Sequence, residues 1–379
     1  MCRPEKKEEG AFYLWTEAEV ERILGIDRAR IFNYQYGIRA EGNALEDVHK
    51  VFSDQNILFV EHSIDETAKK FQQTTDQITR TLAESRTNLF LERQKRPRPH
   101  LDDKILTSWN GLMISAFARA FQTLEDRAYL RAAERAADFI YRKLYDAQAK
   151  RLLRRYRDGD ARFAANLEDY AFFTMGLLDL YEASLNIRWL KLAIELTGIQ
   201  NALFHDGDNG GFFDTSAKDT TLLFRTKEDY DGAEPAGNSI AIGNLSRLAQ
   251  ITDSQQWRDM ADRSLGLLGE QTKRRPESMP QMLVALDFHL HKPKQIVIAG
   301  NLQGEDTRKM LREVHRQFIP GKIILLADGG AGQQFLGQYL PFLETVKRLD
   351  GKATAYVCED YACKLPTTDV AVMLKQLGR

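Results

Sequence analysis

Carboxylates and amides recur at four places in this chain where a helix is about to begin. The segments are "LDDKILTSWNG" (101–111), "NLEDYAFF" (166–173), "DGAEPAGNSIA" (231–241) and "ESMPQML" (277–283). They carry Asp102, Asp103 and Asn110, then Glu168 and Asp169, then Asp231, Glu234, Asn238 and Ser239, then Glu277. Trp109, Tyr170 and Tyr230 stand beside them, with Arg225 and Lys227 just upstream of the third segment. A separated carboxylate pair is what glycoside hydrolysis requires. Aromatic rings at the same level complement the apolar face of a sugar. The same residue types also have a plain structural use. Asp, Asn and Ser cap helix starts by accepting free backbone N–H groups, and carboxylates there oppose the positive end of the helix dipole. Pro235 suits a first helical turn, where its missing N–H has no partner to lose.

The elements that would bring these segments together form an internal repeat. "FQTLEDRAYLRAAE" from Phe121, "LYEASLNIRWLKLA" from Leu180 and "LAQITDSQQWRDMAD" from Leu248 align Tyr129, Trp189 and Trp257, each followed four residues later by Ala133, Ala193 or Ala261. Each unit reads as helix, short polar turn, second helix. The second helices have one apolar stripe, as in Leu130, Ala133, Ala137, Ile140 and Leu144, with charged residues opposite. The first helices, "WNGLMISAFARAFQTL" and "YAFFTMGLLDLYEA", are apolar nearly all round. Inner helices surrounded and outer helices half-wet describe a mainly α fold, an (α/α) toroid of helical hairpins. The four polar segments then converge on one mouth. This makes Asp102, Asp103, Glu168, Asp169, Asp231 and Glu234 the candidate catalytic set. Trp109, Asn110, Tyr170, Arg225, Lys227, Tyr230, Asn238 and Ser239 are the candidate substrate-binding set.

"RLLRRYRDGDARFAAN" and "GGFFDTSAKDTTLLFRTKED" each read as a β-hairpin inserted before an inner helix. "SIDETAKKFQQTTDQITRTLAESRTNLFLERQ" reads as one long helix or a hairpin, and Pro280 opens a further inner helix. From Lys294, "KQIVIAG", "KIILLAD" and "ATAYVCE" alternate with helical stretches, so the tail is a small α/β unit. The expected boundaries are 1–60 for an N-terminal segment, 61–292 for the toroid and 293–379 for the α/β unit. "AGNLQGEDT" reads as a strand-to-helix turn, too loose for a phosphate fingerprint.

Composition excludes several function classes. Net charge is −1 over 379 residues, giving no bulk attraction for nucleic acid or anionic lipid. "RQKRPRPH" (93–100) is short and reads as a solvated connector. No apolar run reaches membrane-spanning length. Cys2, Cys358 and Cys363 are too few for a disulfide scaffold, and "CEDYAC" has neither redox nor complete zinc spacing, so incidental thiols in a cytoplasmic protein are expected, with a reversible disulfide or a shared metal as the alternative. No metal or cofactor is expected. His205 reads as an ordinary loop histidine, and Ser239 lacks a nucleophile-elbow context.

"EGAFYLWT" (9–16), "RPRPHLDDKILTSWNGLMISAFARA" (96–120), "EDYAFF", "DGAEPAGNS" and "YVCEDYACKLPTTD" (356–369) together resemble the spermatogenesis-associated protein 20-like family of thioredoxin-domain-containing proteins. The resemblance implies a toroid related to six-hairpin glycosidases and N-acylglucosamine 2-epimerase, and a link to carbohydrate metabolism. The family's thioredoxin-like module is not in this sequence, which corresponds to the C-terminal portion with an incomplete toroid. Three readings follow. One is a glycosidase-like or epimerase-like protein acting on a small carbohydrate. Another is a non-catalytic binding module working with a separate thioredoxin-like domain or protein. The third is a truncated remnant. An open toroid edge would also favour self-association.

Overall fold

The computed structural model describes residues 10–43, 54–219, 222–291, 293–359 and 362–378. Cys2 and Glu9 lie outside these residues. The chain divides into two compact units, Met1–Asp103 and Lys104–Arg379.

The first unit contains α1 (Glu17–Leu24), α2 (Ile26–Tyr36), α3 (Ile64–Phe71) and α4 (Thr75–Arg93). The stretch expected as a helix or hairpin is a hairpin. Gln72, at φ +55°, ends α3, and capping boxes at Ser63/Glu66 and Thr74/Gln77 start the two helices. Trp15, Val20, Phe32, Ile78, Leu82 and Leu89 form its core. One residue of the basic run is not solvated as expected. The Arg96 guanidinium lies 4.0 Å from the Trp15 ring centre and donates to the Leu14 carbonyl and to Glu19, both at 2.7 Å. Stacking on indole and a carboxylate partner satisfy its planar cation there.

The second unit begins with β1 (Ile105–Leu106), α5 (Thr107–Leu124), α6 (Arg127–Lys143), β2 (Tyr145–Asp146), β3 (Arg151–Arg157) and β4 (Asp160–Ala164). It continues with α7 (Leu167–Ser184), α8 (Ile187–Phe204), α9 (Gly237–Thr252), α10 (Gln255–Arg274) and α11 (Pro280–Leu290). The helices form the hairpins α5–α6, α7–α8 and α9–α10, followed by α11. The inner helices pack in sequence, α5 on α7, α7 on α9 and α9 on α11, as an arc of a toroid. Ala133, Ala193 and Ala261, the repeat's alanines, are fully buried on the outer helices.

The first insertion is a hairpin of β3 and β4, turned by Asp158 and Gly159 at φ +52° and +81°. The second, expected as another hairpin, forms no strand pair among the described residues. Asp214 explains the difference. Its backbone N–H reaches the Thr226 carbonyl, but its carboxylate then takes the Thr226 hydroxyl and the Glu228 N–H, turning the chain into a loop.

The tail holds β5 (Lys294–Ala299), α12 (Glu305–His315), β6 (Lys322–Ala327), α13 (Ala331–Gly337), β7 (Thr354–Glu359), β8 (Ala362–Cys363) and α14 (Val370–Gln376). The sheet order is β6-β5-β7-β8, with β5 and β6 parallel and β7 antiparallel to β5. One sheet face (Val297, Ala299, Ile323, Leu325) shares the core of the helical hairpins. Ile296, Ile298, Ile324 and Leu326, on the other face, pack with Met310 and Val314 of α12 and Met373 of α14. Cys358 and Cys363 face each other across β7 and β8 and are joined as a disulfide. The disulfide alternative, not incidental thiols, is what these two cysteines adopt, because the hairpin register places them directly opposite.

α5 and α7 approach closely through two glycines. A methyl group at Gly176 would stand 2.6 Å from the Gly111 carbonyl oxygen, and one at Gly111 would stand 2.4 Å from the Phe172 backbone. Gly176→Ala is expected to lower stability by about 1–3 kcal/mol through overpacking. Gly198→Ala, on α8 with open space around it, should raise stability by about 0.5–1 kcal/mol. Urea unfolding midpoints check both, and a Gly176→Ala protein as stable as wild type would contradict this contact.

Candidate functional site

Inner helices α5, α9 and α11 have no cap from the residue that precedes them, which are Leu106, Ala236 and Met279. Carboxylates from elsewhere in the arc take that role. Asp169, at the start of α7, accepts the Ser108 N–H of α5 at 3.1 Å and the Asn166 N–H at 3.0 Å. Asp231, in the loop before α9, accepts the Ala236 N–H at 2.8 Å. Its second oxygen accepts the N–H groups of Gln281 and Met282 on α11, at 2.8 and 3.2 Å. Both side chains are buried. Burial pushes the Asp169 carboxyl up to about 6, against the pull of the Asn166 N–H and Arg154.

Other residues of the sequence-derived set are also engaged in holding the backbone. The Asn238 amide donates to the Phe212 and Glu228 carbonyls and accepts the Phe212 N–H. The Tyr170 hydroxyl accepts the Leu152 N–H, and Asn110 donates to the Leu106 carbonyl. Lys227 bridges Asp206 and the Gly210 carbonyl, each at 2.7 Å, while Arg225 lies over the Phe213 ring. Ser239 is buried, with no hydrogen-bond partner for its hydroxyl. Asp102 and Asp103 are exposed in the first unit.

What remains open at the helix starts is a smaller group. The Trp109 indole N–H donates to Glu234 at 2.9 Å, linking α5 to the segment before α9. Arg154 of β3 pairs with Glu168 at 2.7 Å and stands 3.5 Å from Asp169. Trp109 and Tyr230 are both exposed. Glu228 joins them: desolvation, then the carboxylates of Asp214, Glu168, Glu234 and Asp231, raise its carboxyl above the ordinary value. Glu228 was missed because no helix begins beside it in the sequence.

An axial cavity of about 520 Å³ lies among the inner helices, toward the C-terminal ends of α5 and α7. α7 contributes Met175, Asp179 and Glu182. α9 contributes Ile240, Gly243, Asn244 and Arg247, and α11 contributes Gln281, Val284, Ala285 and Phe288. Arg119 and Gln122 of α5 and the segment from His315 to Lys322 complete it. Its polar wall is a buried ion cluster. Asp179 takes a hydrogen bond from Ser115, two from Arg119 at 3.0 and 3.2 Å, and an ion pair from Arg247 at 2.8 Å. Arg247 also reaches Glu182 at 3.2 Å. Burial alone would raise Asp179, but Arg247, Arg119 and Ser115 outweigh it and hold its carboxyl low. Glu182 has only Arg247 and the more distant Lys322 to offset burial, and its carboxyl is raised. Burial likewise lowers the Lys322 ammonium, and burial with Lys322 beside it pushes His315 down to about 4. Perturbed groups gathered on a cavity wall mark a functional-site candidate. A sequence signal existed for this cluster: Arg119, Asp179, Glu182 and Arg247 interrupt otherwise apolar inner helices.

A larger hollow, about 920 Å³, opens beside the ends of β5 and β6. Asp306 and Asp328 already accept backbone N–H groups there, so the turn after β5 has the ordinary strand-to-helix chemistry expected of it.

Fold and cavity together define a helical-hairpin protein of the (α/α) toroid class. No family model matches the chain. It is 37% identical to spermatogenesis-associated protein 20 of Homo sapiens over 99% of its own length and 50% of that protein. The Rattus norvegicus protein gives 37% over 98% and 50%, and an uncharacterised Caenorhabditis elegans protein 29% over 95% and 50%. The family resemblance read from the sequence is thus borne out, and the chain spans about half the length of the curated relatives it matches. Among solved structures, cellobiose 2-epimerase from Bacillus thermoamylovorans aligns at 15% identity over 70% of this chain and 68% of that one, with a TM-score of 0.40. A family 76 α-mannanase from Bacteroides thetaiotaomicron aligns at 14% over 53% of each, with a TM-score of 0.36. These are partial overlaps of fold and carry no information on chemistry.

Two measurements probe this geometry. Asp231→Ala orphans three backbone N–H groups and is expected to cost about 2–3 kcal/mol, whereas Glu234→Gln, at an exposed bond, should cost under about 0.5 kcal/mol. Equal losses in denaturant unfolding would refute the capping role. His315 supplies a pH test. Between its ordinary 6.5 and about 4, the unfolded chain takes up a proton that the folded chain refuses. Stability should therefore fall as pH drops through that window, by at most about 3 kcal/mol. The fall from pH 7.5 to 4.5 should be smaller in His315→Gln, and identical falls would exclude the effect.

Proposed function

We propose that the chain binds a sugar, or a closely related polyhydroxylated small molecule, in the axial cavity. The observation that carries this reading is the composition of the cavity wall. Hydrogen-bonding groups of Gln281, Glu182, Arg247 and Arg119 share it with the apolar surfaces of Met175, Val284 and Phe288. A sugar combines hydroxyl groups and C–H faces in the same way.

In this reading Glu182 is the candidate acid–base carboxyl, since it stands on the cavity wall with Arg247 bound to it. Glu168 and Glu234 are the carboxylates nearer the solvent. A carboxyl beside the ring suits glycosidase-like chemistry, whereas epimerase-like chemistry would call for a histidine, and His315 lines the same cavity. A non-catalytic binding module is the second reading. It is favoured by one observation: Asp169 and Asp231, the most buried carboxylates at the helix starts, are spent on capping backbone N–H groups.

Titration calorimetry with glucose, mannose, cellobiose and α-mannobiose, together with product analysis, tests this. Binding of at least one sugar is expected, weakened about tenfold in Glu182→Gln and less in Glu168→Gln, for the loss of one charged hydrogen bond. Binding without turnover selects the module. No binding of any sugar removes the proposal.

A further inference from the structure

The charges around the axial cavity do not cancel. Four cationic side chains line it, Arg119, Arg247, Arg316 and Lys322, against two carboxylates, Asp179 and Glu182. Both carboxylates are already held, Asp179 by Arg119 and Arg247, and Glu182 by Arg247. Arg316 turns to Glu313 and Glu125, at 3.0 and 3.4 Å, neither of which lines the cavity. Lys322 has no close carboxylate, and Glu182 and Asp179 act on it only from farther off. Among the described residues its ammonium donates only to the Ile319 carbonyl, at a long 3.4 Å.

Gln122 and His315 stand on the same wall, but their unpartnered side-chain nitrogens have no surface open to the cavity. An ammonium on a cavity wall without an ion-pair partner of its own marks where a ligand's negative group belongs. The missing complement is one negative charge with several acceptor oxygens. A carboxylate or a phosphate has that form, and an ammonium serves either as a point charge.

We infer that the axial cavity is selective for an acidic sugar, whose carboxylate or phosphate is held by Lys322 while its hydroxylated ring lies against α7, α9 and α11. This rests on the sugar-binding reading above and narrows it. Neutral sugars lack the group that neutralises Lys322, and leave its charge in a partly desolvated site.

Calorimetry on the full chain with D-glucuronate, D-glucose 6-phosphate and D-glucose decides it. At low salt, glucuronate or glucose 6-phosphate should bind at least tenfold tighter than glucose, and the margin should shrink in 0.5 M salt as the charge is screened. The two acidic ligands separate a carboxylate from a phosphate preference. Lys322→Gln should bring the ratio of acidic to neutral affinity close to one, and Lys322→Arg should keep most of it. If Lys322→Gln does not fold, the wild-type ratio and its salt dependence decide the matter alone. Glucose binding as tightly as both acidic ligands overturns this inference and leaves the sugar reading standing. Binding of neither acidic ligand overturns this inference, and the sugar reading is then decided by the neutral panel above. An unchanged ratio in folded Lys322→Gln removes Lys322 from the role.

Discussion

Asp179 is a carboxylate almost out of reach of water, and the second unit is arranged around neutralising it. A buried charge costs several kcal/mol unless its neighbours supply both opposite charge and hydrogen bonds. Ser115 and Arg119 come from α5 and Arg247 from α9, so one side chain of α7 ties three inner helices together. The rotation of each helix about its axis follows from that requirement. Once Arg247 faces Asp179, Gly243 and Asn244 must line the cavity, one turn away on the same stripe. The glycine contact between α5 and α7 sets how near those helices lie, and the ion cluster sets which faces they turn inward.

Much of this arrangement was legible in the sequence. The alternation of wet and dry helices, with alanine four residues after Tyr129, Trp189 and Trp257, gave the hairpins, because burial on one or two sides leaves a periodic trace. The tail's short β-branched runs gave its strands for the same reason. The second insertion failed as a hairpin because Asp214 offered its loop side-chain bonds that compete with a strand ladder, a choice that residue types alone do not record. The cysteines defied spacing rules because their partnership is set by strand register.

The candidate site was legible in a different measure. Helix starts do gather carboxylates, and the influence of Asp214, Glu168, Glu234 and Asp231 on Glu228 reflects that gathering. Their division of labour was not readable. Asp169 and Asp231 look like Glu168 and Glu234 in the sequence, yet two serve backbone N–H groups and two stay closer to solvent. The ion cluster was overlooked because charges within apolar helices read as interruptions of a core. Its meaning emerges only when three helices bring opposite signs together.

The cross-helix caps carry a consequence for how the second unit assembles. An isolated α5 or α11 begins with uncapped N–H groups, since Leu106 and Met279 offer nothing to them. Each acquires its cap only when α7, or the loop before α9, is in place. Helix formation and docking are thereby one event rather than two. The hairpins should then not fray one by one from the ends of the arc, as independent repeats do, but gain and lose structure together.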